Sequence, residues 1–427
     1  MGTRATGANV IIDGAFETTY GQAPASGYYR HAAYEFRAAL QQNLITDPLL
    51  GSGRDQLAPQ RGEKDLAGQH VVPIDERLFG RYLRLMFGPP AASTQIGSRG
   101  YIEFTAQPVA DTTITLNGTT WTFKASGATG PQTDIDSDLQ ATIDALVSDL
   151  NGSADTEVAK CTYTRLGNRL VVQHDTADTS GDTYTLATTV AGATVSGATL
   201  VGGGLYRHEF RSAAATLPSM TFQVYHPDLD SGTYRYRIQK GCLGNTLTIQ
   251  QQRSGAAKAT IDVVGRDEEE VTASVSGTPT EPTVSLLSQF NGVLLVDGAK
   301  IANVTGGNLV ISNSLDLVQT LGDGGLIGGA DPGQTSIQLS ITARFGDNAL
   351  RAAARAETPV SVLYGFRNPL NGAEMVVELN ELHLPRPRAE IAGPGGIEVT
   401  YEAIGAKNVS IGRAFSVWLY NDQSSYA

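Results

Sequence analysis

Apolar and polar side chains alternate with a period of two in short runs along most of this chain, and most runs end at glycine, proline, asparagine or aspartate. Such runs predict half-buried strands joined by tight turns. Residues 69–74 predict a strand, Asp75 a helix cap, and residues 76–87 a short amphipathic helix stopped by Gly88-Pro89. After a long interruption come a hairpin (220–225 with 233–238) and two more strands (243–250 and 259–265). The same order is then read a second time: strand 337–341, cap Asp347, helix 348–356, a stop at Thr358-Pro359, hairpin 360–366 with 374–379, and strand 397–405. The two sets also end alike, in Ala259-Thr260-Ile261-Asp262-Val263-Val264-Gly265 and Val399-Thr400-Tyr401-Glu402-Ala403-Ile404-Gly405. A plan written twice points to a ring, an array or a pseudo-symmetric assembly.

The interruption has a plan of its own. Residues 112–116 and 119–123 flank Asn117-Gly118, a strong signal for a type I′ hairpin. Leu139, Ile143, Leu146 and Leu150 fall on one face of a helix ended by Asn151-Gly152, and residues 161–165 and 169–173 form a second hairpin. This reads as an autonomous α+β module set into a surface loop, with Gly97 and Gly202-Gly203-Gly204 at its boundaries. The expected fold is mainly β, with two tandem sandwich or barrel units that each carry a short flanking helix. The first unit takes residues 1–98 and 205–285, the module 99–204, and the second unit 286–427.

Leu78, Phe79, Tyr82, Leu83 and Met86 make an apolar stripe expected to pack on the back of a sheet and leave the other sheet face free. A membrane-surface role for this helix fits poorly with an acidic chain. Loops 226–232 and 367–372 each contain a proline and a glycine, as if one turn problem were solved twice. Residues 49–68 and 321–333 read as long loops that are functional or ordered by a partner. For residues 1–20 and the strand 414–420 with its tail, inter-subunit contact and frayed ends are both open.

Composition narrows the chemistry. The chain has 427 residues, length for two to four domains, and a formal charge of −12 with no basic stripe. Nucleic acid is repelled rather than held. No apolar run reaches the length of a membrane helix, and 10–12 is too short for a signal-peptide core. Cys161 and Cys242 fall in different units, so no disulfide is expected. The glycine clusters 322–325 and 393–396 miss the dinucleotide-binding spacing, and neither a hydrolase elbow nor a phosphate loop occurs. His31, His70, His174, His208, His226 and His383 are scattered without a metal-binding motif. His174-Asp175 beside Asp178 reads as a solvated loop, Asp267-Glu268-Glu269-Glu270 as a soluble exit from a strand, and Asp134, Asp136 and Asp138 as support for the following helix N-terminus. Trp121 offers a conceivable sugar platform, although a core or interface role is commoner for it and for Trp418. No catalytic, cofactor-binding or metal residue is assigned.

Leu50-Gly51 through Arg61-Gly62-Glu63-Lys64-Asp65-Leu66-Ala67-Gly68, then Leu217-Pro218-Ser219-Met220-Thr221-Phe222, Tyr234-Arg235-Tyr236 and 259–268, together resemble the tail tube proteins of long-tailed bacteriophages. The module, through 112–116, Asn117-Gly118, 121–123 and its helix, is similar to small decoration-type modules within phage structural proteins. The resemblance implies a non-enzymatic virion tail subunit, made in the host cytoplasm, whose rings stack head to tail around an acidic channel. Its implied partners are itself and other tail proteins. DNA passes through without specific binding, and neither membrane nor cofactor takes part. Two units per chain favour a homotrimeric, pseudo-sixfold ring over a plain hexamer. The alternative is a tail protein that binds a host-surface glycan through 99–204. A glycan-degrading enzyme would need two carboxylates across a cleft, for which no motif exists.

Overall fold

The computed structural model describes residues 4–46, 54–301, 304–344, 349–388 and 396–426; Asp347, the expected second cap, lies outside them. Outside the module, 19 strands form one hydrogen-bonded network. Its backbone is a sheet of seven antiparallel strands in the order Ala39–Ile45, Gln60–Pro73, Lys258–Gly265, the distal half of Tyr236–Gln251, Val304–Ser312, Ser336–Arg344 and Glu398–Gly405. Four of these strands precede residue 286 and three follow it, and the two sets, here called halves, join where Tyr236–Gln251 pairs with Val304–Ser312.

Each half adds a second sheet. The proximal half of Tyr236–Gln251 pairs with Met220–Tyr225 and Asp267–Val271, and Ile11–Phe16 and Tyr29–His31 extend that sheet. In the other half Glu374–His383 pairs with Val360–Arg367 and Phe415–Asn421, and Gly292–Val296 and Ala299–Lys300 extend it. The pairing plan thus recurs strand for strand. So does a register shift, between Met220 and Phe222 in one hairpin and between Val360 and Val362 in the other. A Cβ on Gly265 would strike Leu66, and one on Gly405 would strike Ile337, so the same close passage between neighbouring strands needs glycine in both places.

The helix Phe79–Phe87 begins where Asp75 accepts hydrogen bonds from the backbone N–H groups of Arg77 (3.1 Å), Leu78 (2.9 Å) and Phe79 (2.8 Å). Burial of Phe79, Tyr82, Leu83, Leu85, Met86 and Phe87 against the sheets gives about 1.5–3 kcal/mol for each large side chain. Its counterpart is Ala349–Ala356. One continuous core, from Phe79 and Phe222 through Leu247 and Ile311 to Tyr401 and Val417, runs beneath both halves.

Several expectations are corrected here. Residues 60–68 are not loop: they open a 14-residue strand, and 327–331 form a strand of a small hairpin with Asp316–Gln319. Strands expected at 233–238 and 243–250 are one 16-residue strand that turns from one sheet into the other. The helix starts at Phe79 rather than at residue 76, because Asp75 caps by a wider turn. Among the described residues both terminal segments are paired in sheets. Ile11–Phe16 lies between two strands, and Phe415–Asn421 lies between Glu374–His383 and Tyr206–Arg211. Ala92–Gln95 and Tyr206–Arg211, which precede and follow the module, join the second half's sheet because Tyr206–Arg211 pairs with Phe415–Asn421.

The module has a separate core that includes Phe104, Trp121, Phe123, Leu146 and Leu170. It comprises two four-stranded sheets and the helix Leu139–Asn151, capped by Asp138. Asn117 and Gly118 have φ of 46° and 90°, as a type I′ turn requires.

Candidate functional site

One face of the seven-stranded sheet carries half-exposed to exposed side chains in both halves. Alternation fixes it: Leu66, Ile261, Leu247, Ile311, Leu339 and Tyr401 point to the core, so their neighbours along each strand point away. The outward rows read Ala39, Gln41; Glu63, Asp65, Ala67, Gln69; Thr260, Asp262, Val264; Thr246, Thr248, Gln250; Asn308, Val310, Ser312; Gln338, Ser340, Thr342; and Thr400, Glu402, Ile404. Hydroxyls and amides dominate. Ser340 donates to Glu402 at 3.0 Å, Thr246 donates to Ser312 across the joint at 3.3 Å, and Thr342 and Thr400 are bonded at 3.1 Å. The charged groups on this face are Glu63, Asp65, Asp262, Glu398 and Glu402 against Arg61, Lys258 and Arg344. The face is therefore slightly negative, and most of the chain's −12 lies elsewhere.

The acidic run is one place where it lies. Asp267–Val271 is itself an edge strand of a short sheet, a correction to its reading as a strand exit, and Lys240 reaches Glu269 at 2.8 Å while Gln239 reaches Glu268 at 2.8 Å. Of the other groups weighed from sequence, none converge. Trp121 is buried, its indole N–H donating to Thr133 at 2.9 Å, so it offers no sugar platform. Trp418 donates to Glu378 at 2.9 Å. Asp175 accepts from Thr162, and Asp178 caps a short 3-10 turn. Among the described residues no group of three His, Cys, Asp or Glu could hold a metal ion. Cys161 and Cys242 are both free and buried.

Sequence reasoning missed one polar cluster. His31 and His70, far apart in the chain, meet under the helix around Phe222 and Tyr82, with His70 stacked on Phe36 at 3.8 Å. Among the described residues neither imidazole has a hydrogen-bond partner, and burial lowers the pKa of each to about 3. Both stay neutral at ordinary pH. The signal available in the sequence was the phase of His70 on the core face of its strand.

Two hydroxyl pairs on the outward sheet face, Thr246–Ser312 and Thr342–Thr400, are engaged with one another. What this face offers is a polar wall. A family model described as phage tail tube protein matches residues 7–405, nearly the whole chain. The chain belongs to the phage tail tube protein family. No curated protein matches it. As a tail tube protein it is a structural, self-assembling component of the virion tail that works with other tail proteins, and its mainly β fold agrees with that role. Among the described residues no helix is long and apolar enough to cross a membrane.

Proposed function

We propose that this tail tube protein forms homotrimeric rings in which each chain supplies two like wall segments, giving six equivalent positions. The units are those bounded at 1–98 with 205–285 and at 286–427, with 99–204 carried on the outside. The observation that carries this reading is the outward hydroxyl-rich face, which runs without a break through both halves of one sheet. Such a face is the lumen wall. Its small excess of carboxylates keeps phosphate from adhering, and its two bonded hydroxyl pairs give DNA little to grip. Rings stack head to tail, a heterologous contact that extends into a tube.

Electron microscopy of the purified chain tests this. Stacked rings of three chains with pseudo-sixfold density are the expected result; six chains per ring overturns the duplication reading, and particles without a central channel overturn the tube. For the alternative, glycan binding through 99–204, Trp121 gives no support, because its ring is in the module core.

A further inference from the structure

The joint inside the chain shows what the joint between chains must look like. Strand registers align the two halves residue by residue. Leu40 pairs with Leu66, which pairs with Gly265; in the other half Ile311 pairs with Ile337, which packs on Gly405. Leu40 thus occupies the position of Ile311. On the other flank Leu243 pairs with Val264 and His383 with Ile404, so 243 corresponds to 383; if the one-residue shift between Gly244 and Thr246 is repeated there, Leu247 corresponds to Pro387. Within the chain, Ile311 pairs with Leu247. Among the described residues neither Leu40 nor Pro387 has such a partner: Leu40 lies on the edge strand Ala39–Ile45, and Pro387, outside any strand, follows Glu374–His383, whose last two residues flank the far strand Glu398–Gly405.

We propose that the strand Ala39–Ile45 of one copy adds to residues 384–388 of the next, and that Pro385 and Pro387 make this junction an acceptor-only version of the internal one. The inference rests on the ring reading above. Three observations support it. First, residues 384–388 keep the burial phase of 244–248: Leu384 is buried as Gly244 is, and the consecutive positions 385 and 386 face out as 245 and 246 do. Second, the donors point the right way. Asn313 donates its N–H to the carbonyl of Asn245 at 2.8 Å, which sets 245, 247 and 249 as the positions bonding across the internal joint. Arg37 donates to the carbonyl of Gln69 at 2.8 Å, which turns 37, 39 and 41 towards Gln60–Pro73 and leaves the N–H groups of Leu40 and Gln42 aimed outwards. Third, the prolines stand where only an acceptor remains. Pro385 and Pro387 replace Asn245 and Leu247, keep their carbonyls for Gln42 and Leu40, and return no N–H. An edge without donors also resists pairing with strands that do not belong there.

The test uses the full chain. In the double variant Ala39→Cys and Arg388→Cys, the pair matches the internal neighbours Val310 and Thr248, a non-hydrogen-bonded pair close enough for a disulfide. Oxidation should give covalent dimers and closed trimers, with the buried Cys161 and Cys242 silent. Leu40→Pro removes an outward N–H that no strand of its own chain uses, so the protein should fold and fail to close rings. Pro387→Leu restores one donor and should lower the critical concentration for ring formation roughly fivefold, as one net backbone hydrogen bond does. Rings that form without the cross-link, or that ignore both proline changes, overturn the junction and leave the tube reading standing. No assembly by wild type and Pro387→Leu alike overturns both.

Discussion

His31 and His70 show how a single residue's environment becomes a property of the fold. Each is wholly buried, and desolvation is the largest cause of its lowered pKa; Arg81 adds to it for His31, and His31 for His70. A folded pKa of about 3 against about 6.5 in the unfolded chain means that the unfolded state binds more protons between those values. Stability is therefore complete above about pH 6.5 and falls as pH drops towards 3, by up to about 1.4 kcal/mol per pH unit for each histidine. His70→Phe should preserve the stack on Phe36 and flatten this slope, which denaturant melts at pH 7, 6, 5 and 4 would read; an unchanged slope would remove His70 from the account. The cluster could not be read from the sequence, because it depends on which distant strands become neighbours. Core phase is written in alternation, whereas the identity of the facing residue is not.

At the scale of elements, legibility followed local chemistry. The Asn117-Gly118 hairpin, the Asp138-capped helix and the hairpin at Val360–Arg367 stand where turn residues and periodicity place them. Elements that depend on long-range pairing were misread. Residues 60–65 look like loop because Arg61, Glu63 and Asp65 face solvent, yet pairing with Ala39–Ile45 holds them extended. Tyr236–Gln251 was divided at its glycines, although Gly241, at φ 68°, and Gly244, pressed against Met86, are what let one strand bend between two sheets. Gly244→Val should therefore cost more than an edge substitution, but the sharper test concerns the helix. Asp75→Ala leaves two buried N–H groups and one half-buried one without an acceptor and removes the cap, so a loss of about 2–3 kcal/mol is expected in urea melts, against roughly half that for Asp75→Asn. Equal losses would show that charge, not geometry, secures the helix.

At the scale of the whole molecule, the open face was foreseen as a consequence of helix packing on one side, but not its extent, since no local signal says that Tyr236–Gln251 of one half pairs with Val304–Ser312 of the other. The module's independence can be argued further. Its two sheets share no strand with the main body, and its core cluster is separate. Its entry and exit are already neighbours, because Ile96 donates its N–H to the carbonyl of Leu205 at 2.9 Å and Gly204 donates to the carbonyl of Ile96 at 2.9 Å. Replacing residues 98–203 with Asn-Gly should then turn Ala92–Gln95 and Tyr206–Arg211 into a simple hairpin. The losses would be contacts such as the partly buried Arg99–Glu374 pair at 3.2 Å and the stacking of Arg99 on Tyr420 at 3.6 Å, few beside the core that remains. The shortened chain should fold with a melting temperature within a few degrees of the parent and build tubes of the same channel width and reduced outer diameter. Failure to fold would make the module part of the wall. Folding without assembly would place a ring contact on the module, which the position of both open sheet edges on the other strands argues against.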